Sequence, residues 1–224
     1  MNKQRSFAII TIAVLCCIAM ALVDGFWQPG YFIKSSIKII LFLVVPVIYS
    51  LLNKDIKLLS VLKPDKKGFK TAFLLAVPLY FLIIGAYLLL KNVFDFSAIT
   101  TALTGDVGVT HDNFIFVALY ISFVNSLLEE FFFRGFIFLG LKKIIESRSA
   151  HIISALLFSV YHIAIMSGWF SLPIFILAMA GLFAGGIIFN LLNSKFNNIY
   201  ISWLVHMFAN FAINTIGLSL FGII

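Results

Sequence analysis

The sequence predicts an all-α fold, a polytopic transmembrane helix bundle of about seven spans. Three observations carry that prediction. Apolar residues make up 62% of the 224 and charged residues 11%, with a mean hydropathy of +1.10. A soluble domain carries about 25% charged residues, so this chain lacks the polar groups to face water and takes lipid as its solvent. Seven apolar runs are long enough, or nearly so, to cross a bilayer: 7–23, 35–52, 70–90, 114–140, 151–166, 172–192 and 199–222. A span needs about 20 residues at ~1.5 Å each. The loops between the runs alternate in charge. Lys3, Arg5, the six lysines of 53–70, Lys142, Lys143, Arg148 and Lys195 fall on one side, and only Lys34 and Lys91 on the other. The positive-inside bias places the N-terminus in the cytoplasm and the C-terminus outside, as an odd number of spans requires.

The runs and loops read in order as one membrane domain, 1–224. The first run follows Lys3 and Arg5 and contains Ala19-Met20-Ala21, so a cleaved signal peptide competes with a span. Its apolar stretch is longer than a signal core, which favours a retained span. Cys16 and Cys17 are adjacent inside it and read as small apolar residues, with no disulfide framework. Loop 53–70 mixes Ile56, Leu58, Leu59, Val61 and Leu62 with lysines. It reads equally as a stretch lying on the anionic inner leaflet and as a plain cytoplasmic loop. Loop 91–113 holds Asp95, Asp106 and Asp112 and reads as a mobile external segment. The sixth run contains Gly181-Leu182-Phe183-Ala184-Gly185, a small-residue spacing that lets helix backbones approach. The net charge of +7 does not indicate nucleic acid, because the positives sit in short loops where topology signals belong. Heavy use of Phe, Ile, Lys and Asn points to an AT-rich genome and so to a low-GC bacterium.

Three charged side chains stand deep in an apolar run: Glu129, Glu130 and Arg134. Each costs on the order of 2.5–3.5 kcal/mol or more at mid-bilayer if unpaired. Glu130 and Arg134 are four apart on one helix face and can pair. Glu129 points about 100° away, which leaves it for another role, with Asn125 one turn before it. In the fifth run His162 follows Phe158 by four, and in the seventh Ser202, His206, Asn210 and Asn214 form a polar stripe. Counted from the cytoplasmic ends, Glu129, His162, His206 and Asn210 sit seven to eleven residues in, roughly 10–17 Å deep. Any one of these is common interhelical glue. Polar groups from three spans at one depth point instead to a functional site.

The spacings are specific. Glu129-Glu130-Phe131-Phe132-Phe133-Arg134 reads EExxxR, Phe158 to His162 reads FxxxH, and His206 to Asn210 reads HxxxN. In that order, on three spans, they resemble the CPBP family of CAAX proteases and bacteriocin-processing enzymes, also called Abi, over roughly residues 110–215. The resemblance implies an intramembrane endopeptidase, with eukaryotic members acting on prenylated CAAX proteins and bacterial members in bacteriocin self-immunity or peptide processing. By position it implies Glu129 as the catalytic carboxylate, His162 as its partner in holding a water, and His206 and Asn210 as stabilisers of the oxyanion. By the same resemblance Glu130, Arg134 and Phe158 would support the site. Zinc is left open: Glu129, His162 and His206 could form a two-His, one-carboxylate set, and the same residues serve a metal-free mechanism. A peptide or membrane-protein substrate would reach a wet cavity from the cytoplasmic side. No HExxH helix, Ser-centred GxSG element or intramembrane aspartate pair competes. The alternatives are a non-catalytic immunity or scaffold protein using the same polar core, and a proton-coupled transporter, which would need broken helices in matching halves.

Overall fold

A chain in lipid must satisfy every backbone N–H and C=O within its own segment, so a run of about 20 apolar residues becomes a helix whatever its side-chain propensities. The computed structural model, describing residues 2–53, 58–63 and 66–224, is helical throughout with no strand among the described residues. Seven helices are long and apolar enough to cross a membrane: α1 (Lys3–Trp27), α2 (Tyr31–Leu52), α3 (Phe69–Leu90), α5 (Phe114–Lys142), α6 (Ser147–Met166), α7 (Leu172–Phe196) and α8 (Ile199–Leu220). Between α3 and α5 lies α4 (Ser97–Val107), where the sequence suggested only a mobile segment. Asp95 caps it, its carboxylate taking the Ser97 N–H and hydroxyl. Those two donors hold the Asp95 carboxyl below its usual range.

The outer surface is apolar, with Phe7, Phe32, Leu89 and Phe116 exposed as lipid-facing side chains. Lipid tails remove the hydrophobic drive between helices, so close packing and interhelical hydrogen bonds hold the bundle. The interior is built on phenylalanine. Phe131, Phe132, Phe133, Phe136 and Phe138 of α5 are all buried, and Phe42 of α2 stacks on Phe132 at 4.1 Å between centroids. A second cluster joins α3 to α8, where the small Ala72 and Ala76 meet Ile201, Leu204 and Val205.

The described part of loop 53–70 is anchored to the bundle. A short 3-10 turn, Leu58–Leu62, buries Leu58 and Val61 against α5. Gly135 makes room: a Cβ there would stand 3.2 Å from Val61 Cγ2. Lys54, Ile56 and Lys57 lie outside the described residues. The expected close approach at Gly181 and Gly185 is displaced by one residue. Nothing lies within 4 Å of a Cβ built at either, whereas one at Gly186 would stand 3.0 Å from the Ala155 backbone, where α7 crosses α6.

The helices are not uniformly α. Five-residue π turns occupy Ile40–Val44 in α2 and Ile121–Asn125 in α5, and a nine-residue π segment runs through Glu130–Phe138. Bonding i to i+5 widens the turn and rotates the residues after it, and such bulges recur at functional sites. All three lie beside the buried polar residues Lys38, Glu129 and Glu130.

Candidate active site

Two acids next to each other in α5 are handled by different partners. Glu130 is fully buried, and everything around it is fixed. Ser202 Oγ donates to its Oε2 at 2.5 Å, and His206 Nδ1 lies 3.0 Å from its Oε1. Asn193 Nδ2 donates to Ser202 Oγ in turn. Arg134, also fully buried, lies one turn on, with Nε 3.5 Å from Glu130 Oε2. That is an ion pair without a hydrogen bond. The guanidinium stands over Phe158 at 4.1 Å and Phe189 at 4.9 Å, so ring faces replace the solvent it has lost. Phe158 touches the rest of the site as well, with ring centroids 4.8 Å from His162 and 5.8 Å from His206.

Glu129, 2% exposed, points elsewhere and is not left unpaired. Lys38 of α2, 5% exposed, sets its Nζ 2.6 Å from Glu129 Oε1 and donates to Asn125 Oδ1 as well. Asn125 Nδ2 donates to the same Glu129 oxygen at 3.0 Å. Sequence reading missed Lys38. The signal was a lysine inside the 35–52 run, the same anomaly that singled out Glu129. With two acids and two bases, the buried core of the site balances its charge, which a low-dielectric interior demands.

His206 sits between the two carboxylates. Its Nδ1 faces Glu130 and its Nε2 lies 3.6 Å from Glu129 Oε2. His162 is partly exposed and packs its ring against Phe158 and Tyr161. Its Nδ1 is 2.7 Å from the Phe158 carbonyl, which can only accept. The proton is therefore on Nδ1, and Nε2 keeps its lone pair. Asn210 donates from Nδ2 to the Ile121 carbonyl at 3.2 Å, and its second amide hydrogen remains available. Asn214 ties α8 to Ala118 O and Ser122 Oγ lower on the same helix. The seventh-run polar stripe thus divides: Ser202 and His206 serve Glu130, while Asn210 and Asn214 bind the opened backbone beside the first π turn of α5.

Among the described residues no group of three His, Cys, Asp or Glu is placed to share an ion. A cavity of about 480 Å³ lies between the end of α1, the start of α2 and the end of α6, and its lining includes none of Lys38, Glu129, His162 and His206. The Asp24–Lys34 ion pair, 2.5 Å, stands in its wall, one turn before Lys38.

Fold and site together define a class: a polytopic membrane protein whose interior holds an acid–imidazole cluster braced by its own ion pairs. Within that class, residues 111–212 match the model of the Rce1-like family, described as type II CAAX prenyl endopeptidase Rce1-like, and that stretch is similar to it. The matched residues hold Glu129, Glu130, Arg134, Phe158, His162, His206 and Asn210. No curated protein and no solved structure matches the chain significantly.

Proposed function

We propose that this protein hydrolyses peptide bonds of a hydrophobic peptide or membrane-protein segment by water activated at Glu129. The observation that carries the reading is that Glu129 has one oxygen anchored and the other facing His206 Nε2 across 3.6 Å, with His162 packed on the same Phe158 ring as His206. That gap exceeds a hydrogen bond and leaves Oε2 unclaimed.

The chemistry follows from what each atom can do. His162 Nε2 accepts one hydrogen of a water and aims its oxygen at the scissile carbonyl carbon. As the oxygen attacks, the water's other proton passes to Glu129 Oε2. The carbonyl oxygen becomes an oxyanion, which accepts from the second Asn210 N–H and, with His206 as an imidazolium whose Nδ1–H is held by Glu130, from His206 Nε2–H, one helical turn apart. When the C–N bond breaks, the proton on Glu129 goes to the leaving amine, and the product acid departs. Glu130 and Arg134, held by Ser202 and stacked on Phe158, fix His206 and do not touch substrate. We place the N-terminus and lysine-rich loops in the cytoplasm of a bacterium, where peptide processing or bacteriocin self-immunity is the setting.

Comparing peptides from membranes carrying wild-type protein and Glu129→Ala tests the reading and finds the substrate. Precursors accumulating in Glu129→Ala, and their shortened products vanishing, support it. Identical peptide profiles with retained biological activity would point to a non-catalytic immunity or scaffold protein.

A further inference from the structure

Lys38 has no part in the hydrolytic steps assigned to Glu129, His162, His206 and Asn210, and it lies outside residues 111–212. It is nonetheless the residue most deeply committed to Glu129. Its ammonium makes two short hydrogen bonds, to Glu129 Oε1 at 2.6 Å and to Asn125 Oδ1 at 2.5 Å. Its remaining face is turned to the rings of Tyr161 at 5.0 Å and Phe42 at 5.5 Å. Phe42 is itself stacked on Phe132 at 4.1 Å between centroids. Asn125 closes a triangle by donating to the same carboxylate oxygen. The two Glu129 oxygens are therefore unequal: Oε1 takes both donors, and Oε2 takes neither.

We propose that Lys38 is a positioning residue for the hydrolytic reaction, a role that rests on the endopeptidase reading. It keeps Glu129 ionised inside the bundle and, with Asn125, divides its carboxylate into a fixed oxygen and a working one. An isolated carboxylate in an apolar interior takes up a proton rather than remain charged. The paired ammonium removes that tendency, and its position decides which oxygen is consumed by pairing. The active site then extends beyond the family-matched stretch: α2 completes it.

The test uses the full chain in lipid nanodiscs. Infrared difference spectra against Glu129→Gln assign the Glu129 carboxylate band. Turnover is followed on a quenched-fluorescent farnesylated peptide with a CAAX-type end. Lys38→Met keeps the apolar stem and should abolish the carboxylate band. It should also lower kcat about 100-fold with KM unchanged, the scale of a ~1 Å misplacement of a reacting group. Lys38→Arg should keep the band and at least about a tenth of kcat. The proposal is overturned if Lys38→Met retains the band, or loses the band while keeping kcat. It is also overturned if Lys38→Arg and Lys38→Met lose activity equally and unfold at the same lowered temperature, which would make Lys38 only a structural tie. Failure of the wild type to cleave the peptide counts against the endopeptidase reading, and the infrared arm still decides whether Lys38 holds Glu129 charged.

Discussion

Replacing Arg134 by Met removes a guanidinium that no water reaches. Glu130, equally buried, would then face Ser202 and His206 with no fixed cation. Removing one partner of a buried ion pair costs about 3–5 kcal/mol. The two surviving partners of Glu130 place this case at the lower end, about 3 kcal/mol. Losing the ring contacts to Phe158 and Phe189 removes about 1 kcal/mol more. Methionine returns part of that by filling the same space. The single variant should therefore lose about 3 kcal/mol, a factor of roughly 100 in the folded-to-unfolded ratio. Glu130→Gln added to Arg134→Met removes the stranded charge. The double variant should recover about 1–2 kcal/mol of the loss, which is the signature of coupling and not of two independent lesions. Reversible unfolding in mixed micelles, titrated with denaturing detergent, reads all of these. A single variant within about 0.5 kcal/mol of wild type, or a double variant as costly as the sum of its singles, would refute the ion pair as an organising contact.

Gly186→Leu should wedge α7 from α6 and destabilise the bundle by about 1–3 kcal/mol, while Gly185→Ala should be silent, in the same detergent titration. Ser202→Ala deprives Glu130 Oε2 of its hydroxyl donor and should cost about 1.5–3 kcal/mol. It should also lower turnover by loosening His206, with little change in KM. Asp95 is held below its usual range by Ser97. Its cap on α4 should therefore be intact at pH 7 and weaken as the pH falls through that lowered value. Protection factors of the first α4 amides, corrected for intrinsic exchange, should fall in acid in wild type and be low at both pH values in Asp95→Ala.

The spans were legible in the sequence because lipid leaves an apolar run no other structure. The expected 114–140, 172–192 and 199–222 became Phe114–Lys142, Leu172–Phe196 and Ile199–Leu220. The EExxxR, FxxxH and HxxxN positions were legible for the complementary reason, that polar groups are costly there and stand out. The Glu130–Arg134 pair followed from helix spacing alone. Lys38 was not legible as a site residue, because a lysine near the end of an apolar run ordinarily snorkels its charge to the interface. Nor were the π turns, since a stretch such as Phe131–Phe133 is apolar on every face and carries no period to betray a shifted register. The same uniformity hid Gly186: with apolar side chains all round α7, sequence spacing does not say which glycine meets a neighbour.

The most direct measurement is the origin of the oxygen in the product. Purified protein in nanodiscs, given its substrate in H2(18)O, should release a fragment whose new carboxyl terminus carries one heavy oxygen, and Glu129→Gln of normal expression should release none. Cleavage by Glu129→Gln at the wild-type rate, or a wild-type product without the label, would contradict a water activated at Glu129.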